Sequence, residues 1–222
     1  MIGIGKAFSA GIDISDTELM QSEVENEDFV RAGLAFLPKI RDMQRCFTAI
    51  EECPVPVIAA IHGNCIGAGV DLACCCDIRM AQTKATFSVR EVRIGLAADI
   101  GTLQRLPKIT GNDSRVRELC LTGEIFDEKE AARIGFVSRV SGDVIADAIE
   151  LASTISSNSP VAVFGTKRSL LFSRDHTVAE GLDHIASHNA FALMTSELPT
   201  AVMATSRGEQ AEFSNLPRFS RL

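Results

Sequence analysis

The stretch "PVPVIAAIHGNCIGAGVDLACCCDIRMAQ", residues 54–82, decides how this chain folds. Its first third is an apolar, β-branched run that ends at Gly63, a pattern typical of a buried strand. The remainder predicts a turn, a short helix and a second strand. No second pair of cysteines at zinc-ligand spacing accompanies "CCC", so these residues fit small core side chains in a reducing compartment. The stretch therefore predicts a βα unit.

On either side of this unit, helical periodicity dominates. The segment before it predicts a helix that Pro38 divides in two, with apolar residues at helical spacing at Phe29, Leu34, Leu37, Ile40, Met43, Phe47 and Ile50. The segment after it predicts helices over roughly 112–121 and 127–133 and a short strand in "GFVSRV". From Gly142 onward the apolar spacing is helical almost to the end. We therefore expect an α/β core over residues 1–141 and a helical region over residues 142–222.

Composition argues against several classes of function. The net charge is −7 and the chain has no Trp or Tyr and no basic stripe, which argues against a nucleic-acid surface. No apolar run reaches the roughly 18 residues that a membrane span needs, and no secretory signal is visible at the N-terminus. His184 and His188 have helical i, i+4 spacing, but no carboxylate completes a metal triad. We expect no metal site.

Two carboxylates flank an apolar segment in "SVREVRIGLAADIG", residues 88–101. One explanation is structural: Glu91 pairs with Arg90 or Arg93, and Asp99 caps the segment that begins at Gly101. The other explanation is catalytic: acids in an apolar site have raised pKa values and can exchange protons with a substrate. Spacing alone leaves both explanations open.

Two glycine-containing turns, "FSAGID" (8–13) and "GAGVD" (67–71), also have two interpretations. Neither matches a dinucleotide fingerprint, and the chain has no P-loop. Such turns can expose backbone N–H groups at a helix start, and two facing turns would form an oxyanion hole for a carbonyl. Ordinary tight turns are the alternative.

Three blocks carry a resemblance to a known family: "GKAFSAGIDI", residues 54–81, and "FSVREVRIGLAADIGTLQRLPKITGN". They resemble the crotonase (enoyl-CoA hydratase/isomerase) superfamily, and within it the Δ3,5-Δ2,4-dienoyl-CoA isomerases. The resemblance implies a β/β/α spiral core and a helical C-terminal region that builds homotrimers or homohexamers. The family has further core residues before the first block, so the resemblance also implies an N-terminally shortened core.

The resemblance also implies a role for individual residues. Ala10 and Ala68 match the two oxyanion-hole residues that bind a thioester oxygen through their backbone N–H groups. Gly11, Ile12, Asp13 and Ile14 continue the first turn along the acyl-CoA substrate. Ala10 and Ala68 are substrate-binding residues as well. Asp71 and Glu91 match the two catalytic acids of hydratases, which usually lack an acid at Asp99. The dienoyl isomerases have all three.

The implied reaction converts 3,5-dienoyl-CoA to 2,4-dienoyl-CoA in the β-oxidation of unsaturated fatty acids. A proton leaves C2 and another is added at C6, and these carbons are too far apart for one carboxylate to serve both. We expect Glu91 and Asp99 to divide the work, with "RIGLAA" as an apolar wall around them. No cofactor is expected, because the thioester itself acidifies C2.

Two other functions remain open: an enoyl-CoA hydratase that uses Asp71 and Glu91, and a non-catalytic shortened isoform or subunit. The tripeptide Ser220, Arg221 and Leu222 is a conservative variant of a peroxisomal address. It predicts a peroxisomal protein, with a mitochondrial pool if a longer N-terminal form exists.

Overall fold

The computed structural model describes residues 1–15 and 29–217. Contacts between Cα atoms divide the chain into two compact units. The first unit comprises residues 1–52 and 57–145, and the second comprises residues 53–56 and 146–222. The boundary that we expected between residues 141 and 142 stays a prediction.

Both small sheets belong to the first unit. In chain order its elements are α1 (Phe29–Glu51), β1 (Ile58–Ile61), β2 (Asn64–Ile66), α2 (Ala68–Cys75), β3 (Ile78–Gln82), β4 (Thr86–Ser88), a 3₁₀ turn (Glu91–Ile94), α3 (Thr102–Ile109), α4 (Asp113–Thr122), β5 (Phe126–Asp127), α5 (Glu128–Arg133) and β6 (Arg139–Ser141). One sheet has the strand order β1-β3-β6 with all strands parallel. The other has the order β2-β4-β5, in which β2 and β4 are parallel and β5 is antiparallel to β4.

The strand predicted from "PVPVIAAIHG" is β1, and all four of its residues are buried. A strand covered on both faces reads as a continuous apolar run rather than as an alternating one. Around it the core includes a cluster of three phenylalanines in which Phe87 lies 5.3 Å from Phe126 and 5.5 Å from Phe136 between ring centroids. Cys74, Cys75 and Cys76 are buried as well. The predicted order of βα units is confirmed.

Pro38 does not divide the first helix, so this prediction is wrong. Helix α1 runs unbroken from Phe29 to Glu51 with Pro38 inside it. A proline deprives the carbonyl four residues earlier of its partner, and here that residue is the exposed Leu34. Water can reach an exposed carbonyl, so the helix continues.

The second unit is helical. Beginning in the last residues of the first unit, the helices are α6 (Val144–Ser156), α7 (Pro160–Ser173), α8 (Val178–Ala192) and α9 (Glu197–Arg207). In the second unit, the buried Lys167 donates a hydrogen bond to the Val55 carbonyl at 3.0 Å. Within the described ranges, no helix is both long and apolar enough to pass through a bilayer.

Candidate active site

The first glycine turn is fixed to strand β2. The Ser9 N–H donates to the Asn64 carbonyl at 3.0 Å, and the Ile66 N–H donates to the Ser9 carbonyl at 3.1 Å. Gly11 follows with a φ of +97°, and a β-carbon there would lie 3.2 Å from the Ile66 oxygen. Only glycine combines this backbone conformation with so close an approach. The turn therefore holds Ala10 against the end of β2.

The second glycine turn begins helix α2. Gly67 has φ +53° and ψ −123°, and its N–H donates to the Ser88 carbonyl at 2.9 Å. Ala68 is the first residue of the helix, where N–H groups lack intrahelical partners. The turns adjoin, because a β-carbon on Gly67 would lie 3.9 Å from the Gly11 Cα. Among the residues that the structure describes, the N–H groups of Ala10 and Ala68 donate to no other group.

Glu91 faces this pair of turns. It opens the 3₁₀ turn, and its Oε1 lies 3.4 Å from the position of a β-carbon on Gly67. Its Oε2 is buried and has no hydrogen-bond partner among the described residues. Burial raises the pKa of Glu91, and the neighbouring Asp71 and Asp99 raise it further. A carboxyl group whose pKa is raised above its usual range is better suited to accept and release a proton in catalysis.

Asp71 lies one turn into helix α2 and is 1% exposed. Its Oδ1 accepts the backbone N–H of Thr102 at 2.6 Å, whereas its Oδ2 has no partner within residues 1–15 and 29–217. Burial raises the pKa of Asp71 and the Asp99 charge adds to this, while Thr102 and Arg105 oppose it. One oxygen of Asp71 is thus committed to structure and the other faces the site.

Asp99 is half-buried between the buried residues Ala98 and Ile100. Its backbone carbonyl accepts a hydrogen bond from Gln44 Nε2 at 2.6 Å. Its charge raises the pKa of both Asp71 and Glu91, so the three acids that the sequence singled out form one electrostatic cluster.

The structural explanation for the two acids is wrong in both parts. Helix α3 begins at Thr102, and its N-cap residue, Gly101, has no side chain that could cap it. The carboxylate that binds its first N–H belongs to Asp71 instead of Asp99. Glu91 forms no ion pair with another described residue, and Arg93 donates to the Thr122 carbonyl at 2.9 Å.

The prediction that "RIGLAA" forms an apolar wall around the acids is also wrong. Within "RIGLAA", Ile94 is 55% exposed and Leu96 is 40% exposed, and only Ala98 is buried. The 3₁₀ turn ends at Gly95 with a left-handed backbone, which leads the chain along the surface. Glu91 is instead covered by the start of α2 and by α4, which carries Cys120. Burial is the main cause that raises the pKa of Cys120 to about 11, and the charges of Glu91 and Asp71 raise it further.

The remaining predicted substrate-binding residues lie at the surface of the protein. Ile12, Asp13 and Ile14 are exposed, and Asp13 Oδ1 accepts hydrogen bonds from the Ser15 N–H and hydroxyl at 2.9 and 2.6 Å. Ser220, Arg221 and Leu222 lie outside the described residues. Sequence reasoning missed Gln44, Thr102 and Cys120. Each interacts with an acid that is distant in sequence, and none belongs to a local motif.

Comparisons with known proteins identify relatives of this chain. The chain is 49% identical to the human protein named Delta(3,5)-Delta(2,4)-dienoyl-CoA isomerase, mitochondrial, over 94% of this chain and 64% of that protein. It is 42% identical to the Arabidopsis thaliana protein of the same name, peroxisomal, over 96% of this chain and 78% of that one. The chain thus spans less than two thirds of the human relative's length.

The fold has a counterpart among solved structures. The enoyl-CoA hydratase from Bacillus anthracis superimposes with a TM-score of 0.83 at 26% identity, covering 96% of this chain and 79% of that one. This similarity confirms the predicted fold class. The model of the family described as enoyl-CoA hydratase/isomerase matches residues 1–196. The chain belongs to the enoyl-CoA hydratase/isomerase family.

Proposed function

We propose that this protein isomerises 3,5-dienoyl-CoA to 2,4-dienoyl-CoA by proton transfer between C2 and C6. The observation that carries the proposal is the third acid: Asp99 interacts electrostatically with both Asp71 and Glu91. A hydratase needs only the other two acids. The names of the human and Arabidopsis relatives support the same reaction.

In the proposed mechanism, the N–H groups of Ala10 and Ala68 donate to the thioester oxygen. One carboxylate, Glu91 or Asp99, takes the proton from C2, and the oxyanion hole stabilises the resulting dienolate. The electrons shift along the chain, and the other acid gives a proton to C6. One proton is taken and one is given, and exchange with water returns the two acids to their starting states.

The proposal includes an acyl-CoA thioester as substrate and neither a metal nor a redox cofactor. The thioester carbonyl withdraws electrons from C2, and the two N–H donors strengthen this effect. Asp71 assists Glu91 instead of carrying the substrate proton. Its Oδ1 accepts the Thr102 N–H, and its negative charge raises the pKa of Glu91.

The first test is an absorbance assay. A 3,5-dienoyl-CoA substrate without added cofactor should give the chromophore of the 2,4-dienoyl thioester. Asp99→Asn keeps the shape of the side chain and removes a proton carrier, so kcat should fall by about 10²–10⁴-fold. Thioester binding should change little, because the backbone donors are untouched. Asp42→Asn, at an exposed surface acid paired with Arg45, is the matched control.

Enoyl-CoA hydratase is the second candidate, favoured by the proximity of Asp71 and Glu91 and by the B. anthracis structure. The same preparation incubated with 2-enoyl-CoA would lose the enoyl absorbance if it hydrates that substrate. A folded protein that converts neither substrate would be the non-catalytic isoform or subunit.

The proposal extends to assembly and location. Exposed apolar side chains on α8 and beyond it, including Val178, Phe191 and Met194, support a homotrimer or homohexamer. The relatives' names, peroxisomal and mitochondrial, together with Ser220, Arg221 and Leu222, support a peroxisomal location, with the mitochondrion as the alternative. A fluorescent protein fused to residues 213–222 should concentrate in peroxisomes, and a diffuse signal would remove the address.

A further inference from the structure

Helix α1 presents a polar face to the segment that carries Asp99. Gln44, Thr48 and Glu51 follow one another at intervals of four and three residues, which places them on the same side of the helix. Gln44 Nε2 donates to the Asp99 carbonyl at 2.6 Å. Arg105 Nη2 donates to Thr48 Oγ1 at 3.1 Å and forms an ion pair with Glu51 at 3.1 Å. One helix face thus contacts the segment at Asp99 and helix α3 at Arg105.

The segment that carries Asp99, residues 95–101, has little regular structure of its own. The chain leaves the 3₁₀ turn at Gly95, whose φ is +80°, and enters α3 after Gly101, whose φ is +134°. Between the two glycines lie no helix or strand residues, and Ala98 and Ile100 anchor the segment by burial. Buried neighbours fix how deep Asp99 lies, but a directional bond is needed to fix the orientation of its backbone.

We propose that Gln44 is a positioning residue for Asp99: by holding the Asp99 carbonyl, its side-chain amide sets where the Asp99 carboxyl meets the acyl chain. Arg105, held by Thr48 and Glu51, secures helix α3, into which the segment leads. This inference rests on the proposed isomerisation. Gln44 touches no reacting atom, so its whole effect passes through Asp99.

Gln44→Met tests this inference, because methionine keeps the length and helix preference of the side chain and removes the N–H donor. We expect kcat to fall by about tenfold, since small displacements of a catalytic group are costly, with KM nearly unchanged. Arg45→Met is the matched control: it makes the same replacement at the adjacent exposed residue, whose partner is Asp42. Gln44→Ala removes the same donor and is the second variant.

A double-mutant cycle separates positioning from general support of the fold. If Gln44 acts only through Asp99, adding Gln44→Met to Asp99→Asn should cost almost nothing further. If the double variant instead loses kcat by the product of the two single-variant factors, the inference is wrong. It is also wrong if Gln44→Met alone keeps the parental kcat.

Amide hydrogen exchange gives a readout that needs no turnover. Gln44→Met should exchange faster over residues 96–102 and at the parental rate over the buried strand 58–61. If the parent protein does not isomerise the substrate, the proposed function is wrong. Hydrogen exchange would then test by itself whether Gln44 holds the segment that carries Asp99. Unchanged exchange over residues 96–102 would overturn the inference.

Discussion

At the scale of single residues, the site is defined by how differently three acids are used. Asp71 has one oxygen bound to Thr102, Glu91 has a buried oxygen without a partner in the described part of the chain, and Asp99 is half-buried. Ionised Asp71 and Asp99 make ionisation of Glu91 less favourable, and burial removes the solvent that would screen this effect. The arrangement favours a proton being retained within the cluster, as acid and base catalysis requires.

Replacement of Glu91 should change how stability depends on pH. Burial raises the folded-state pKa of Glu91 above its usual 4.5, so the folded protein binds this proton more tightly than the unfolded chain. The stabilisation that the bound proton provides is complete below pH 4.5 and is lost as the pH rises through the folded-state pKa. Glu91→Gln stays neutral, so its advantage over the parent should grow across this window and then level off.

Urea unfolding at a series of pH values measures this difference. Glu52→Gln, at an exposed carboxyl, is the control for the removal of one negative charge. A constant gap between Glu91→Gln and the parent would contradict the assignment of a raised pKa to Glu91.

At the scale of elements, two features organise the site: glycines at the starts of helices, and the Asp71 carboxylate, which binds the start of a different helix. Gly67 lets α2 begin beside Gly11, which places the Ala68 nitrogen next to the neighbouring turn. Helix α3 has no side-chain cap of its own, and Asp71 of α2 binds its first N–H. A negative charge at a helix N-terminus is also favourable to the helix dipole. Asp71 therefore ties α3 to α2.

Two substitutions of Asp71 should separate its capping role from its charge. Asp71→Asn retains an oxygen that can accept the Thr102 N–H, whereas Asp71→Ala leaves that N–H buried and unpaired. An unsatisfied buried donor costs about 1–3 kcal/mol, so Asp71→Ala should be less stable than Asp71→Asn by at least about 1 kcal/mol. Denaturant unfolding of the two variants gives this difference directly, and equal stabilities would rule out the cap.

At the scale of the whole molecule, the exposed apolar surface is the feature without an explanation inside one chain. Phe191 is 80% exposed and Met194 is 85% exposed, although large apolar side chains usually avoid water. Patches of this kind commonly mark interfaces between proteins. The surface therefore accords with the proposed assembly of several copies.

Light scattering coupled to size-exclusion chromatography should give three or six times the 23.9 kDa of one chain. Burial of exposed apolar side chains drives such an association, so it should persist in high salt, which weakens ionic contacts instead. A stable and active monomer would contradict the proposal.

The sequence by itself determined the local features of this protein. The apolar run of β1, the glycine turns, the helical periodicity after Gly142 and the identity of three acids can all be read from neighbouring residues, and they led to the family. The strands β2, β4 and β5 were not predicted, because a segment of two or three residues has no measurable period.

Only the tertiary structure decided what each acid contacts. Asp71 binds an N–H that lies 31 residues further along, and Gln44 binds a carbonyl 55 residues away. It also showed that Ile94 and Leu96 are exposed, whereas the local pattern predicted an apolar wall. The physical reason is that hydrophobic spacing reports which face of an element is buried, while partners across the core depend on how the whole backbone is routed.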